Sequence, residues 1–246
     1  MATDSPDLIS WEIPFIISSS QPAIGTRFWR FSALIMQCFL YRLLRAFSVP
    51  GLLFLLAITT TAARANTLLV VGDSISAAYG MSLDKGWVAL LEGRMAVSYP
   101  DHEVVNASIS GETTDGALRR IDTLLEQHQP SVVLIELGGN DGLRGFPIGR
   151  FRDNLRQLAT KSQAAGAEVI VAAVRIPPNY GNRYTTSFHD SYALVAKETD
   201  SILAPFILEG IATDPALMQA DGIHPRPEAQ RALLDNLYPY IEESLQ

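Results

Sequence analysis

Cysteine is almost missing: the 246-residue chain has one, Cys38. A lone thiol closes no disulfide framework, so whatever folds here must hold itself together by its core. Long apolar runs are missing too, since the most apolar stretch, Val49 to Ile58, is about half of the roughly 20 residues that a membrane-spanning helix needs. Basic charge is in deficit, with 19 Lys and Arg against 26 Asp and Glu and a net charge of −7. An acidic body excludes a phosphate backbone or an anionic membrane surface as the main partner, so no nucleic-acid binding is expected. Neither G-x-G-x-x-G nor G-x-x-x-x-G-K-[ST] follows the first apolar run of the body, which removes the usual phosphate cradles of nucleotide binders. Repeats, low-complexity segments and internal linkers are also lacking after residue 66, and nothing there calls for a second domain.

The N-terminal part reads as an export signal. From Met36 the order is basic (Arg42, Arg45), apolar (Val49 to Ile58), then Ala63-Arg64-Ala65, so residues 36–65 are expected to be a signal peptide cleaved after Ala65. Residues 1–35 precede it as a mixed polar segment, where such a signal ordinarily starts the chain. They are expected to be an upstream extension, disordered or not translated, with Met36 as the true start. Cleavage removes five arginines and three acids, which takes the net charge from −7 to −9. Cys38 leaves as well, and its place before the apolar run excludes a lipid anchor at a cysteine after the signal. The remainder, 66–246, is long enough to bury about 70% of its unfolded surface. A periplasmic or secreted monomer without stable membrane insertion is expected.

In this body short apolar runs alternate with amphipathic stretches. LLVVG, EVVNAS, SVVLIELGG, EVIVAAVR and ILAPF read as strands; GWVALLEGRMAVSY, GALRRIDTLLEQH, 148–165, 188–199 and 228–245 read as helices. Continuous Val, Ile and Leu runs mark strands buried on both faces, hence a parallel sheet covered by helices. The fold class is α/β, a three-layer α/β/α doubly wound domain. Between Arg175 and Ser187, Pro177-Pro178 and Asn179-Tyr180-Gly181 exclude regular structure, and a loop after a strand's carboxyl end is either a ligand site or a plain connection.

Four short motifs carry potential chemistry. Gly72-Asp73-Ser74 ends the first strand; a serine there can act as nucleophile only with a base beside it, and the same residues suit an ordinary turn. Ser76 stands where G-x-S-x-G needs its second glycine, so this is not the α/β-hydrolase elbow. Gly111, after the second strand, offers an unshielded backbone N–H or merely a turn. Asn140, in Gly138-Gly139-Asn140-Asp141-Gly142, can donate an amide hydrogen to an oxyanion, or the run is a tight turn. Asp221-Gly222-Ile223-His224 lets a carboxylate hold Nδ1–H and leave Nε2 as a base, or it starts a helix. A parallel sheet puts every strand's carboxyl end on one side, so the four converge by topology.

Together these blocks resemble the SGNH (GDSL) hydrolases, named for those Ser, Gly, Asn and His positions, over essentially all of 67–246. More narrowly, GDSISAAYG, LGGNDGLRG, IPPNYGNRY and DGIHP are similar to the TesA-type acyl-CoA thioesterase I group, also called lysophospholipase L1 or arylesterase. The resemblance implies a flavodoxin-like five-stranded sheet, Ser74 as nucleophile, and Asp221 and His224 as its partners. It implies an oxyanion hole of the Ser74 and Gly111 backbone N–H groups with the Asn140 side chain. Substrate contacts are expected from Asp141, Gly142, Leu143, Arg144 and Phe146, in a loop that shifts over the acyl chain, and from Pro178 and Tyr180. The substrate is expected to be a small acyl ester or thioester, with no metal and no cofactor. Two other readings remain: a carbohydrate O-acetyl esterase on the same scaffold, and a non-catalytic flavodoxin-like module that holds a nucleotide or flavin phosphate.

Overall fold

The apolar runs do form strands. In the computed structural model, which describes residues 66–246, β1 (Thr67–Gly72), β2 (Glu103–Asn106), β3 (Val132–Glu136), β4 (Glu168–Ala172) and β5 (Ile202–Ala204) build one sheet. All neighbours pair in parallel, in the order β2-β1-β3-β4-β5. The expected upstream extension and signal peptide lie outside the described residues.

Parallel pairing needs crossovers, and helices supply them. They are α1 (Trp87–Ser98), α2 (Thr114–Leu118), α3 (Ile121–His128), α4 (Gly139–Leu143), α5 (Ile148–Ala164), α6 (Asn182–Glu198) and α7 (Gln230–Glu243). The strand runs are apolar throughout because alternate residues bury on opposite faces. Leu68, Val70, Leu134 and Ile170 pack with Leu91 and Met95 of α1 and Leu233 and Leu237 of α7. Leu69, Val71, Ile135 and Val171 pack with Leu155 and Leu158 of α5 and Phe188 and Val195 of α6. Each such side chain contributes roughly 1.5–3 kcal/mol by leaving water. The expected three-layer α/β/α domain is thus the observed one, and its strand order is that of flavodoxin.

Two helix expectations need correction. The stretch 116–128 is two helices rather than one. Thr113 caps the first by accepting the Gly116 N–H at 3.2 Å, and Arg119 and Arg120 end it with tight bonds to the Gly116 and Ala117 carbonyls. Arg120 leaves helical geometry (φ −122°) and gives its guanidinium to Glu112 at 2.7 Å. Ala117 and Ile121 are both buried across the break, so the apolar pattern runs on through it. The helix read as 188–199 begins at Asn182, directly after Gly181 at φ +89°. The prolines restrict the chain only up to there, and Pro178–Tyr180 is a single 3-10 turn. Among the described residues, no helix is long and apolar enough to cross a membrane.

Strand order fixes where a ligand can sit. From β1 the chain crosses to one side to form β2 and to the other to form β3, so the loops after β1 and β3 open apart at the carboxyl edge. Ser74 follows β1 and Asn140 follows β3.

Candidate active site

Gly72 lets the chain turn sharply after β1. A Cβ there would lie 2.7 Å from Ser76 Cβ and 2.9 Å from Ser108 Oγ, so only glycine fits. The turn closes through Ala77 N–H to the Asp73 carbonyl (2.9 Å), Tyr79 N–H to the Ser74 carbonyl (3.0 Å) and Ile75 N–H to Asp73 Oδ1 (3.1 Å). Ser74 is left half-buried in the mouth of the cleft.

The segment before α7 comes to meet it. Asp221 Oδ1 accepts the backbone N–H groups of Ile223 and His224, each at 3.0 Å, and Gly222 takes the positive φ (+67°) between them. This Asx turn brings Asp221 Oδ2 to 2.7 Å from His224 Nδ1, and His224 Nε2 lies 2.9 Å from Ser74 Oγ, 150 positions away. A carboxylate only accepts, so Nδ1 carries the hydrogen and Nε2 is free to accept from the serine hydroxyl. Gln219 ties the segment to the serine turn, donating to the Tyr79 carbonyl at 2.9 Å and the Pro225 carbonyl at 3.1 Å. The Tyr79 ring lies against the imidazole, tilted by 34° with centroids 4.3 Å apart. Desolvation works to raise the Asp221 carboxyl, but the imidazole and the two backbone N–H donors outweigh it and hold it at about 2.

Asn140 lies in the first turn of α4, with Nδ2 donating to Asp73 Oδ2 at 3.2 Å. Gly111 is exposed at φ +80°; its loop is tied to β1 by the Ile109 N–H on the Gly72 carbonyl (3.1 Å), and its own carbonyl accepts from Arg144 at 3.1 Å. Beneath the serine turn lie two more carboxyls. Asp73 is pushed up to about 6, by burial first, against the Ile75 and Asn140 hydrogen bonds. Glu136, at the end of β3, rises well above the usual carboxylate range through burial and then the charge of Asp73; it accepts from Ser76 Oγ at 2.7 Å.

A cavity of about 570 Å³ opens beside Ser74, Asn140 and His224. Leu143, Val174, Ile176 and Pro178 form one wall; Phe206, Leu208, Met218 and Ile223 form the other. Of the expected substrate contacts, Leu143 and Pro178 line this space, while Asp141, Gly142, Arg144, Phe146 and Tyr180 stand outside it. Asp141 is buried and accepts from the N–H and hydroxyl of Thr114, which anchors α4 to α2. Gly142 is pressed against Ile176 and Phe188, where a Cβ would lie 2.5 Å from Ile176 Cγ2. Arg144 reaches Gly111; the Phe146 carbonyl accepts from Tyr184 at 2.8 Å, and Tyr180 Oη donates to the Leu143 carbonyl at 3.0 Å. Sequence reasoning missed Val174 and Ile176, the second wall, and Asp73, Tyr79 and Glu136. Only the nearness of Phe206 and Met218 to the D-x-x-H motif could have pointed to that wall.

A doubly wound sheet with a serine, an imidazole and a carboxylate joined in one hydrogen-bonded line at its switch point has the build of a serine hydrolase. The chain belongs to the GDSL-like Lipase/Acylhydrolase family, whose profile matches residues 70–232, and it is an enzyme acting on ester bonds. It is similar to the esterase TesA of Pseudomonas aeruginosa, 48% identical over 202 residues that span 82% of this chain and 100% of that protein. It is likewise 48% identical over 183 residues to the thioesterase 1/protease 1/lysophospholipase L1 of Escherichia coli K12, covering 74% of this chain and 86% of that one. Among solved structures, the psychrotrophic esterase EstA from Pseudoalteromonas sp., inhibited by monoethylphosphonate, superposes with a TM-score of 0.71 at 47% identity, covering 73% of this chain and 98% of that chain.

Proposed function

We propose that residues 66–246 act as an exported serine esterase and thioesterase that hydrolyses aryl esters, lysophospholipids and acyl thioesters through an acyl-enzyme. The observation that carries this is the line Ser74 Oγ, His224 Nε2, His224 Nδ1, Asp221 Oδ2, with heavy-atom gaps of 2.9 and 2.7 Å. His224 takes the Ser74 proton as the hydroxyl attacks the acyl carbonyl. The backbone N–H groups of Ser74 and Gly111 and the Asn140 amide receive the oxyanion. His224 then protonates the leaving alcohol or thiol, and a water repeats the sequence on the acyl-serine.

The cavity supports an acyl chain as its occupant. Its walls are largely aliphatic and aromatic, and about 570 Å³ falls inside the range of roughly 300–1,000 Å³ usual for small-molecule sites. Aliphatic walls suit an acyl chain better than the hydroxyls of a sugar, which disfavours a sugar O-acetyl ester. Leu143 and Pro178 would touch the chain, whereas Asp141, Gly142, Arg144, Phe146 and Tyr180 would hold the loops that bear them. The names of the two bacterial relatives, esterase and thioesterase 1/protease 1/lysophospholipase L1, support the same range of substrates. Export rests on the basic, apolar, small-x-small order of 36–65, and it makes cytosolic acyl-CoA an unusual natural substrate. N-terminal sequencing of exported protein should begin at Asn66.

A fluorophosphonate probe should label wild-type protein at Ser74, and Ser74→Ala should lose both labelling and turnover of p-nitrophenyl esters. Unlabelled wild type, or turnover unchanged in Ser74→Ala, refutes the reading. In a series of acyl lengths, preference for acetyl esters over longer ones would move the assignment to deacetylation.

A further inference from the structure

Two buried carboxyls stand under the serine turn, and the acyl-transfer cycle uses neither. Asp73 is almost wholly buried and accepts through Oδ1 from the Ile75 N–H and through Oδ2 from the Asn140 amide at 3.2 Å. Glu136 is fully buried, holds Ser76 Oγ at 2.7 Å and leaves Oε1 without a partner. An ionised carboxylate in such a place is costly unless its bonds replace water, so its position is informative.

An asparagine amide can turn over without changing shape, presenting either its NH₂ or its carbonyl to a neighbour. For Asn140 the two faces have opposite effects, because the side chain lines the cavity beside Ser74. An N–H aimed there stabilises a developing oxyanion, whereas a carbonyl oxygen repels it. A carboxylate can only accept, so opposite Asp73 Oδ2 the amide must present its NH₂, and the second hydrogen of that nitrogen is left for the cavity. Among the described residues, the Asn140 side chain makes no other hydrogen bond.

We infer that Asp73 is a positioning residue for the ester-cleaving reaction: its carboxylate fixes the rotation of the Asn140 amide so that an N–H, and not the carbonyl, faces the reacting oxygen. The inference rests on Ser74 being the nucleophile proposed above. A protonated Asp73 loses this discrimination, because its O–H can donate to the Asn140 carbonyl and hold the amide the other way round.

The groups that face Asp73 by charge are His224 from the segment before α7, Asp141 from α4 and Glu136 from β3. Burial, and then the Asp73 charge, keeps the proton on Glu136 well above the usual range, so the ionised member of the pair is the one that touches Asn140. Since Asp73 sits at about 6, the orienting charge is present above that pH and is lost as pH falls through it. Protonation of Asp73 should therefore lower activity on the acid side, through the amide of Asn140.

The test is a double-mutant cycle on the purified protein, with kcat for a p-nitrophenyl ester measured at mildly alkaline pH. Asp73→Asn puts an amide against an amide and should lower kcat roughly 10- to 100-fold, approaching the loss of an oxyanion donor. In an Asn140→Ala background the same change should cost less than about twofold, since coupled residues do not add. The acid limb of kcat in wild type should carry a step near pH 6 that is absent in Asn140→Ala, a comparison that does not depend on Asp73→Asn folding. Equal losses in both backgrounds, or the same acid limb in wild type and Asn140→Ala, overturns the role of Asp73. Ser74→Ala, assayed alongside, separates the two claims: if it is dead and the cycle additive, only this inference falls; if it is active, the proposed function falls as well.

Discussion

At the scale of single residues, the site depends on donors and acceptors that are held rather than free. On the proposed mechanism Asn140→Ala removes one oxyanion donor while leaving α4 in place, so kcat should drop roughly 100- to 1,000-fold with the thermal midpoint little changed. A loss below about tenfold would mean that the amide does not reach the oxyanion. Tyr79 is half exposed and packs its ring against His224 at 4.3 Å. Such ring pairs contribute about 0.5–1.5 kcal/mol, so Tyr79→Ala should lower kcat/KM roughly 2- to 10-fold, while circular dichroism reports an intact fold. That Ser74, Asn140, Asp221 and His224 gather at one edge was readable because each sits in a short motif and a parallel sheet brings strand ends together. Glu136 was not. It closes the run VVLIE, where a charge looks like a strand emerging into solvent, and only the packed turn above it makes that end interior. Tyr79 meets His224 across a loop closure that no sequence spacing encodes.

At the scale of elements, the sheet's two-faced burial sets the stability. Leu134, in the central strand β3, is fully buried among α1 and α7 side chains. Leu134→Ala should cost about 2–5 kcal/mol in urea unfolding, and a loss under about 1 kcal/mol would contradict the packed core described for that face. Val97 on α1 is 84% exposed, and its alanine variant should stay within about 0.5 kcal/mol of wild type. Strands were readable because burial on both faces needs uninterrupted apolar runs. Helix limits were less so, since burial continues from Ala117 to Ile121 across a break that is made by capping and by the Glu112–Arg120 pair. The wall from Phe206 to Ile223 was hidden for a related reason: it has no repeating pattern and gains its meaning only where the chain passes over the cleft.

At the scale of the whole molecule, two carboxyls set opposing pH limits on stability. Asp73, raised from 3.8 to about 6, contributes stability below 3.8 that is lost as pH rises through about 6. Asp221, lowered from 3.8 to about 2, contributes above 3.8 and loses its part as pH falls toward about 2. The urea midpoint of Asp73→Asn should therefore gain on wild type as pH climbs from about 4 to beyond about 6, and stay parallel to it outside that window. A gap that ignores pH would show that Asp73 is not a raised, buried acid. The domain's class and strand count were plain from composition and alternation; the pairing of its interior charges was not, because it is created by the fold.

The serine turn lies near the front of the folded body and its imidazole 150 positions later, in the stretch that leads into the last helix. On the proposed mechanism, a growing polypeptide therefore carries its hydroxyl for most of its synthesis with no proton acceptor to arm it. A product broken off ahead of His224 lacks that acceptor, which arrives only with the stretch before α7, the helix that Gln230 fastens to Trp87 at 2.9 Å. An esterase built this way stays unarmed until the segment that bears its imidazole has been added.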